Sequence, residues 1–175
     1  HHHLKFDVEI GKEKFRDRIN RIFSRNGIAY ELQDNGKIIR LAPLVLHEDL
    51  IKSKFNTSDR TLNMMLEECR TKFLDPNIFV RREALERLWD SWERIKTLEN
   101  PSNKKDSIKI ILDKAASEPN FRSILENEAS SLTYIGNNFH IRHSEVGKTP
   151  ITNDHHVDYL FHKLFSMIHL LLKSI

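Results

Sequence analysis

The sequence predicts a mainly α-helical protein, in which a helical bundle carries an N-terminal helix and a β-hairpin. Five Gly and five Pro in 175 residues are too few for a loop-rich all-β fold. From Glu48 onward, apolar residues recur every three or four positions, which is the period of one helix face. Before that point, Asp34-Asn35-Gly36 separates two short alternating runs and indicates the turn of a hairpin.

Composition and charge exclude several classes of protein. Cys69 is the only cysteine, which excludes an intrachain disulfide and a cysteine-based zinc site. No run of about 18 uncharged apolar residues is present, so no membrane-spanning helix is predicted. Since no secretory signal is visible either, we expect a cytoplasmic protein. The formal net charge of +3 is compatible with a nucleic-acid partner without requiring one.

The first predicted element is a basic helix from Lys12 to Arg25. Its apolar face consists of Phe15, Ile19, Ile22 and Phe23. Asn26-Gly27 ends the helix, because glycine tolerates the left-handed position that follows a helix. Six basic residues lie on it: Lys12, Lys14, Arg16, Arg18, Arg21 and Arg25. Such a run is typical of a solvated helix face or of a surface that contacts phosphate.

A β-hairpin is predicted next, with strands in residues 28–32 and 37–41 and with Pro43 after the second strand. A lone hairpin is only marginally stable in water, so this one must pack against another element. We assign residues 4–47 to a helix-and-hairpin appendage and residues 48–175 to a helical bundle domain. Residues 1–3 are histidines and are interpreted as the remnant of a purification tag.

Two functions are open for the appendage. In the first, it contacts nucleic acid through basic side chains on the helix and the hairpin. These are Arg16, Arg18, Arg21, Lys37 and Arg40. In the second, it is structural, and it covers one end of the bundle or mediates dimerisation. Both interpretations bury the apolar face of the helix.

Five apolar stripes predict the helices of the bundle, in residues 62–73, 81–95, 108–115, 121–139 and 157–172. Cys69 falls on the first stripe, which indicates a buried structural thiol rather than a nucleophile. Residues 56–59 supply cap candidates for the first of these helices, and Asn153 or Asp154 for the last. The last stripe is broad enough to cover two neighbours, either two helices of the bundle or one helix and a second subunit.

The densest polar cluster is Asn137-Asn138-Phe139-His140-Ile141-Arg142-His143-Ser144-Glu145, and Asp154, His155 and His156 follow a short loop later. The two stretches meet if the last two long helices are antiparallel. The planar guanidinium of Arg142 fits a phosphate, while His140 and His143 can transfer protons near neutral pH. Such a set suits cleavage of RNA by its own 2′-hydroxyl group. The alternative is a polar helix end that only complements the helix dipole.

The remaining motifs give no sign of a metal or a cofactor. His155, His162 and His169 recur every seven residues, which separates neighbours by about 10 Å along a helix. That distance is too large for one shared ion. No glycine-rich phosphate loop, nucleophile elbow or His-Glu-x-x-His helix is present. We therefore predict no metal site and no cofactor.

The polar cluster also carries a family resemblance. The segment from Gly136 to Glu145 lies between the last two long helices of an all-helical bundle. It is similar to the Ile-Arg-His variants of HEPN-like proteins (higher eukaryotes and prokaryotes nucleotide-binding) in prokaryotic defence loci. The stretch Arg81–Asp90 also resembles abortive-infection-type proteins. The resemblance covers about residues 56–175. The family's usual motif places four to six residues between Arg and His, whereas His143 follows Arg142 directly.

The resemblance implies a homodimer with a shared cleft and metal-independent endoribonuclease activity in a defence or toxin setting. Arg142 would bind phosphate and His143 would act as acid and base, with His140 and Asn138 in support. The alternative is a catalytically silent module that regulates by binding nucleic acid or a partner protein. Such a partner would come from the same operon or be a missing domain.

Overall fold

The computed structural model describes residues 8–26, 28–41, 54–141 and 147–174. Within these ranges the chain forms six α-helices and one two-stranded antiparallel sheet. This architecture confirms the predicted mainly α-helical bundle with its N-terminal helix and hairpin. None of the described helices is long and apolar enough to cross a membrane.

The N-terminal unit consists of helix α1 (Val8–Arg25) and strands β1 (Tyr30–Leu32) and β2 (Ile38–Arg40). The strands pair Tyr30 with Arg40 and Leu32 with Ile38. Gly36 in the turn has a φ of +80°, a conformation that favours glycine. Asn20 fastens α1 to β1, because its side chain donates to the Leu32 carbonyl at 3.0 Å and accepts from the Leu32 N–H at 2.7 Å.

Helix α1 begins at Val8, one turn before its predicted start at Lys12. Glu9 in this extra turn complements the positive end of the helix dipole and pairs with Lys12 at 2.9 Å. The prediction missed the turn because Gly11, a poor helix former, interrupts it.

The described part of the bundle has five helices: α2 (Arg60–Phe73), α3 (Ile78–Ile95), α4 (Lys104–Ala115), α5 (Pro119–Asn138) and α6 (Asp154–Leu172). Each begins after a side-chain oxygen that accepts from first-turn amides. These caps are Asp59, Asn77, Asn103, Glu118 and Asn153. Asp59 and Asn153 were among the predicted candidates and are confirmed.

Helix α3 packs against both α2 and α6, and α4 packs against both α5 and α6. The broad apolar stripe of α6 therefore covers two helices of the bundle, α3 and α4, as one of the two predicted alternatives requires. Phe73 of α2 stacks on Phe161 of α6, with ring centroids 3.7 Å apart. Cys69 is confirmed as a buried thiol, and desolvation raises its pKa to about 12, which leaves it unreactive near neutral pH.

Gly136 of α5 permits a close approach between α5 and α3. A Cβ atom at this position would overlap Nε1 of the buried Trp89. Replacing Gly136 by alanine must displace the indole or the helix, and we expect it to lower the free energy of unfolding by about 1–3 kcal/mol. Urea denaturation followed by circular dichroism measures the change.

Gly11→Ala is the matched control, because no atom lies within 4 Å of a Cβ at that exposed helical position. This control should leave the protein equally stable or stabilise it by up to about 1 kcal/mol. An equal loss of stability in both variants would contradict the role assigned to Gly136.

Candidate functional site

Four cations form a row along one face of α1. Lys14, Arg18, Arg21 and Arg25 are spaced i, i+4, i+7 and i+11, which places them on the same side of the helix. All four are exposed, and together with Asp17 and Ile22 they line a surface depression of about 540 Å³. None of them forms an ion pair with another described residue. We call these four residues the basic row.

The opposite side of α1 faces the hairpin. Arg16 pairs there with Asp34 in the hairpin turn, and it lies 3.5 Å from Asp17. Asn20, one turn further along, holds β1 through its two hydrogen bonds. Because each residue turns the helix by about 100°, Arg16 and Arg18 lie on opposite sides of α1. The hairpin thus supports the helix from behind and leaves the basic row open to solvent.

The structure divides the five residues predicted to contact nucleic acid. Arg18 and Arg21 belong to the basic row, and Lys37 is exposed on the hairpin. Arg16 and Arg40 are engaged in ion pairs with carboxylates of this chain. Lys14 and Arg25 complete the row, although they were not among the predicted contacts. The helical spacing of the basic run is the signal that identifies them.

Arg40 joins the N-terminal unit to the bundle. Its backbone N–H donates to the carbonyl of Leu74 at the end of α2, at 2.9 Å. Its Nη1 atom lies 2.6 Å from Oδ2 of Asp158 in α6. The other oxygen of that carboxylate, Oδ1, lies 3.5 Å from Nε of Arg81 in α3. We call Arg40, Arg81 and Asp158 the ionic joint.

The ionic joint is mostly buried, with 6% of the Arg81 side chain and 15% of the Asp158 side chain exposed. Arg81 also donates through Nη1 to the carbonyls of Asp75 and Pro76, at 3.3 and 2.8 Å. The facing atoms Arg81 Nε and Asp158 Oδ1 make no hydrogen bond with any described residue. The attraction between them is therefore ionic, and the cluster suits a structural connection rather than a ligand site.

His162 borders the ionic joint one turn after Asp158. Its ring meets Phe73 edge-on, with centroids 5.1 Å apart. Burial lowers the pKa of His162; the nearby Asp158 opposes this shift and Arg40 adds to it. The imidazole is therefore held neutral at physiological pH, as part of the packing between α2 and α6.

Two of the predicted catalytic residues, Arg142 and His143, lie outside the described residues. The other two are at the end of α5. Asn138 is exposed, and its side-chain amide donates to the carbonyl of Tyr134 in its own helix at 2.8 Å. His140 is half-buried, and its backbone N–H donates to the Thr149 carbonyl at 2.9 Å.

The chain on either side of residues 142–146 is held together. Phe139 and Thr149 form an isolated bridge, and the Thr149 N–H donates to the Asn138 carbonyl at 3.1 Å. Ile141, the last described residue before the segment, is 2% exposed. Backbone hydrogen bonds therefore hold together the described residues that flank this segment.

Asp154, His155 and His156, the predicted neighbours of this segment, lie in the first turn of α6. Asp154 lies 4.0 Å from Arg81, at the edge of the ionic joint. His155 and His156 are exposed in the first turn of α6. Within residues 8–26, 28–41, 54–141 and 147–174, no group of three or more His, Cys, Asp or Glu side chains could hold a metal ion.

Comparison with known proteins identifies no relative. No protein-family model, no curated protein and no solved structure matches the chain. The resemblance of residues 136–145 to HEPN-like proteins therefore stays a prediction from the sequence.

Proposed function

We propose that this protein binds nucleic acid through the basic row of α1. The proposal is supported by one observation: four exposed cations share a helix face and have no ion-pair partner among the described residues. Like charges at these spacings destabilise a helix by about 0.2–0.5 kcal/mol per pair. A polyanion that lies along the row replaces this repulsion by attraction.

The dimensions of the basic row suit a phosphate backbone. Lys14 and Arg25 are separated by about 16 Å along the helix axis, and consecutive cations by about 4.5–6 Å. A nucleic-acid strand carries one charge per ~3.4 Å of duplex axis. The flexible lysine and arginine side chains can therefore each reach a phosphate, and the row as a whole can neutralise about four of them.

The support of α1 favours such a contact. The hairpin holds the helix from the side opposite the row, and Arg40 connects the hairpin to the bundle. A row presented on an ordered helix loses little conformational entropy on binding, apart from that of the four side chains. The interaction is electrostatic, so it recognises RNA and DNA without reading their sequence.

The test measures RNA binding by a variant in which the four cations of the basic row are replaced by uncharged residues. The row variant carries Lys14→Gln, Arg18→Gln, Arg21→Gln and Arg25→Gln. At low salt we expect it to bind a fluorescent RNA oligonucleotide at least about 100-fold more weakly than the wild type does, because four phosphate contacts are lost. Fluorescence anisotropy measures the dissociation constant.

A bundle control removes the same charge from exposed cations elsewhere. It carries Lys54→Gln, Arg60→Gln, Lys105→Gln and Lys109→Gln, all of which are exposed positions. We expect it to bind within about threefold of the wild type, since these residues lie outside α1 and contribute only to the general field. Equal losses in the two variants would reduce the proposal to non-specific attraction by net charge.

A second candidate function is endoribonuclease activity of the HEPN-like type, in a cytoplasmic defence or toxin system and as a homodimer. The observation that favours it is that backbone hydrogen bonds join residues 138–140 to residue 149, on either side of the segment that carries Arg142 and His143. A catalytic pair must be held in place, and backbone bonds between residues 138–140 and 149 provide a support on both sides.

In this second proposal the chemistry needs no metal. His143 removes the proton from a ribose 2′-hydroxyl, which attacks the adjacent phosphorus, while Arg142 stabilises the charge that develops on the phosphate oxygens. The bond from phosphorus to the 5′-oxygen breaks and leaves a 2′,3′-cyclic phosphate. The 5′-oxygen takes a proton from water, and the protonated His143 returns its proton to the hydroxide that this forms. Incubation of the protein with mixed RNA, with and without EDTA, tests for the activity, which EDTA should not reduce.

A further inference from the structure

An apolar line runs along α1 beside the basic row. Val8, Phe15 and Ile22 are 64%, 61% and 46% exposed. They are seven residues apart, and since seven residues are nearly two full turns, they lie almost directly above one another. We call these three residues the apolar line.

The apolar line borders the face of α1 that packs against the hairpin, and Phe15 also lines a depression between α1 and the hairpin turn. Ile19 and Phe23, which complete the predicted apolar face, are half-buried, as are Arg16 and Asn20. Phe15 lies one turn before Arg18 of the basic row, and Ile22 lies one turn after it. The apolar line therefore runs beside one flank of the basic row, and the exposed acidic residues Glu13 and Asp17 lie along its other flank.

We infer that the ligand of α1 is a single-stranded nucleic acid, an inference that rests on the proposed function. The phosphates lie on the basic row, and unpaired bases lie against the apolar line, with one base stacked on Phe15. A base stacked on an aromatic side chain contributes strongly to single-strand binding, and the contribution tolerates any sequence because every base has a flat face. A charged stripe with an aromatic beside it is the arrangement that such binding requires.

A duplex fits these two stripes, the basic row and the apolar line, less well. Its bases are stacked inside, so the outer surface that meets α1 consists of phosphates, sugars and groove edges. The basic row would still contact phosphates. Phe15 and Ile22, however, would be covered by polar groups and would add no favourable free energy of binding. The single strand is the form of nucleic acid that uses both stripes.

Other occupants of the surface are less well matched. The apolar line covers only about 40° of the helix circumference, whereas a helix that lies in a membrane surface needs an apolar face of about 100° or more. A second copy of α1 would bring another four unpaired cations against the basic row. An anionic strand with exposed bases complements both stripes at once.

The experiment compares strand and duplex with the whole chain. A fluorescent 12-nucleotide RNA and the duplex formed with its complement are titrated at the same salt concentration against the wild type, Phe15→Ala and Phe15→Trp. The wild type should prefer the single strand. Phe15→Ala should weaken single-strand binding by about 5- to 100-fold and duplex binding by less than about 2-fold. Phe15→Trp should retain or strengthen single-strand binding, because the larger ring stacks at least as well.

The controls separate this inference from the proposed function. Phe121→Ala removes another exposed phenylalanine, on α5, and should bind both ligands like the wild type. If strand and duplex bind equally, or Phe15→Ala weakens both alike, the single-strand inference is wrong while the role of the basic row stands. If neither ligand binds but anionic lipid vesicles or an acidic helical peptide do, both proposals are wrong.

Discussion

Replacing Asp158 by alanine is expected to lower the free energy of unfolding by about 3–5 kcal/mol. Asp158 is the carboxylate between Arg40 of the hairpin and Arg81 of the bundle, at 2.6 and 3.5 Å. Without it, the guanidinium of Arg81 stays buried and keeps only the half-exposed Asp154, at 4.0 Å, as an acidic partner among the described residues. Removing one partner of a buried ion pair is the costly change. Arg40 loses the same partner and keeps its backbone hydrogen bond to Leu74.

Urea denaturation measures the effect, provided that the dependence of the free energy on urea is unchanged in the variant. Glu128→Ala is the matched control, because it removes an ion pair between α5 and α6. Glu128 binds Lys163 at 2.6 Å, and both side chains are partly exposed, so this control should lose less than about 1 kcal/mol. A comparable loss in both variants would mean that the ionic joint has no special role.

Replacing both Arg142 and His143 by alanine is expected to reduce RNA cleavage by at least about 10³-fold. The estimate combines a general acid–base contribution of about 10²–10⁴-fold with the loss of a group that stabilises charge on the phosphate. The melting temperature should be nearly unchanged, because the buried Ile141 and the bridge between Phe139 and Thr149 are retained. Quantification of labelled RNA fragments and a thermal melt measure the two quantities.

The bundle control serves here as well, since it retains Arg142 and His143 and should cleave RNA like the wild type. Cleavage that persists in the double variant would remove Arg142 and His143 from the proposed site. Cleavage that EDTA abolishes would point to metal-dependent chemistry instead, and the second candidate function would be wrong. Binding through α1 is unaffected by either outcome.

The helices of the bundle were predictable because each carries a long apolar stripe and polar caps. The stripe of residues 157–172 even indicated that the last helix covers two neighbours, and the turn Asp34-Asn35-Gly36 located the hairpin. These features depend on residues close together in sequence. The first turn of α1 was missed because Gly11 weakens the local helical signal.

The ionic joint could not be predicted, because it depends on contacts between distant parts of the chain. Arg40, Arg81 and Asp158 come from a strand and two helices that are far apart in the sequence. One signal was present: Arg81 falls on the apolar stripe of residues 81–95, and a charged residue in that position needs a buried partner. The separation of Arg16 from the basic row was predictable, since Arg16 and Arg18 must lie on opposite sides of one helix.

The central claim, that the basic row binds phosphates, is tested most directly by the salt dependence of binding. For the wild type, the logarithm of the binding constant should fall with the logarithm of salt concentration with a slope of about −3, as four contacts to a single strand require. Each single variant, Arg18→Gln or Arg21→Gln, should reduce the magnitude of the slope by about 0.7, and Lys105→Gln should leave it unchanged. A wild-type slope near zero, or slopes that do not change when Arg18 and Arg21 are neutralised, would contradict the account.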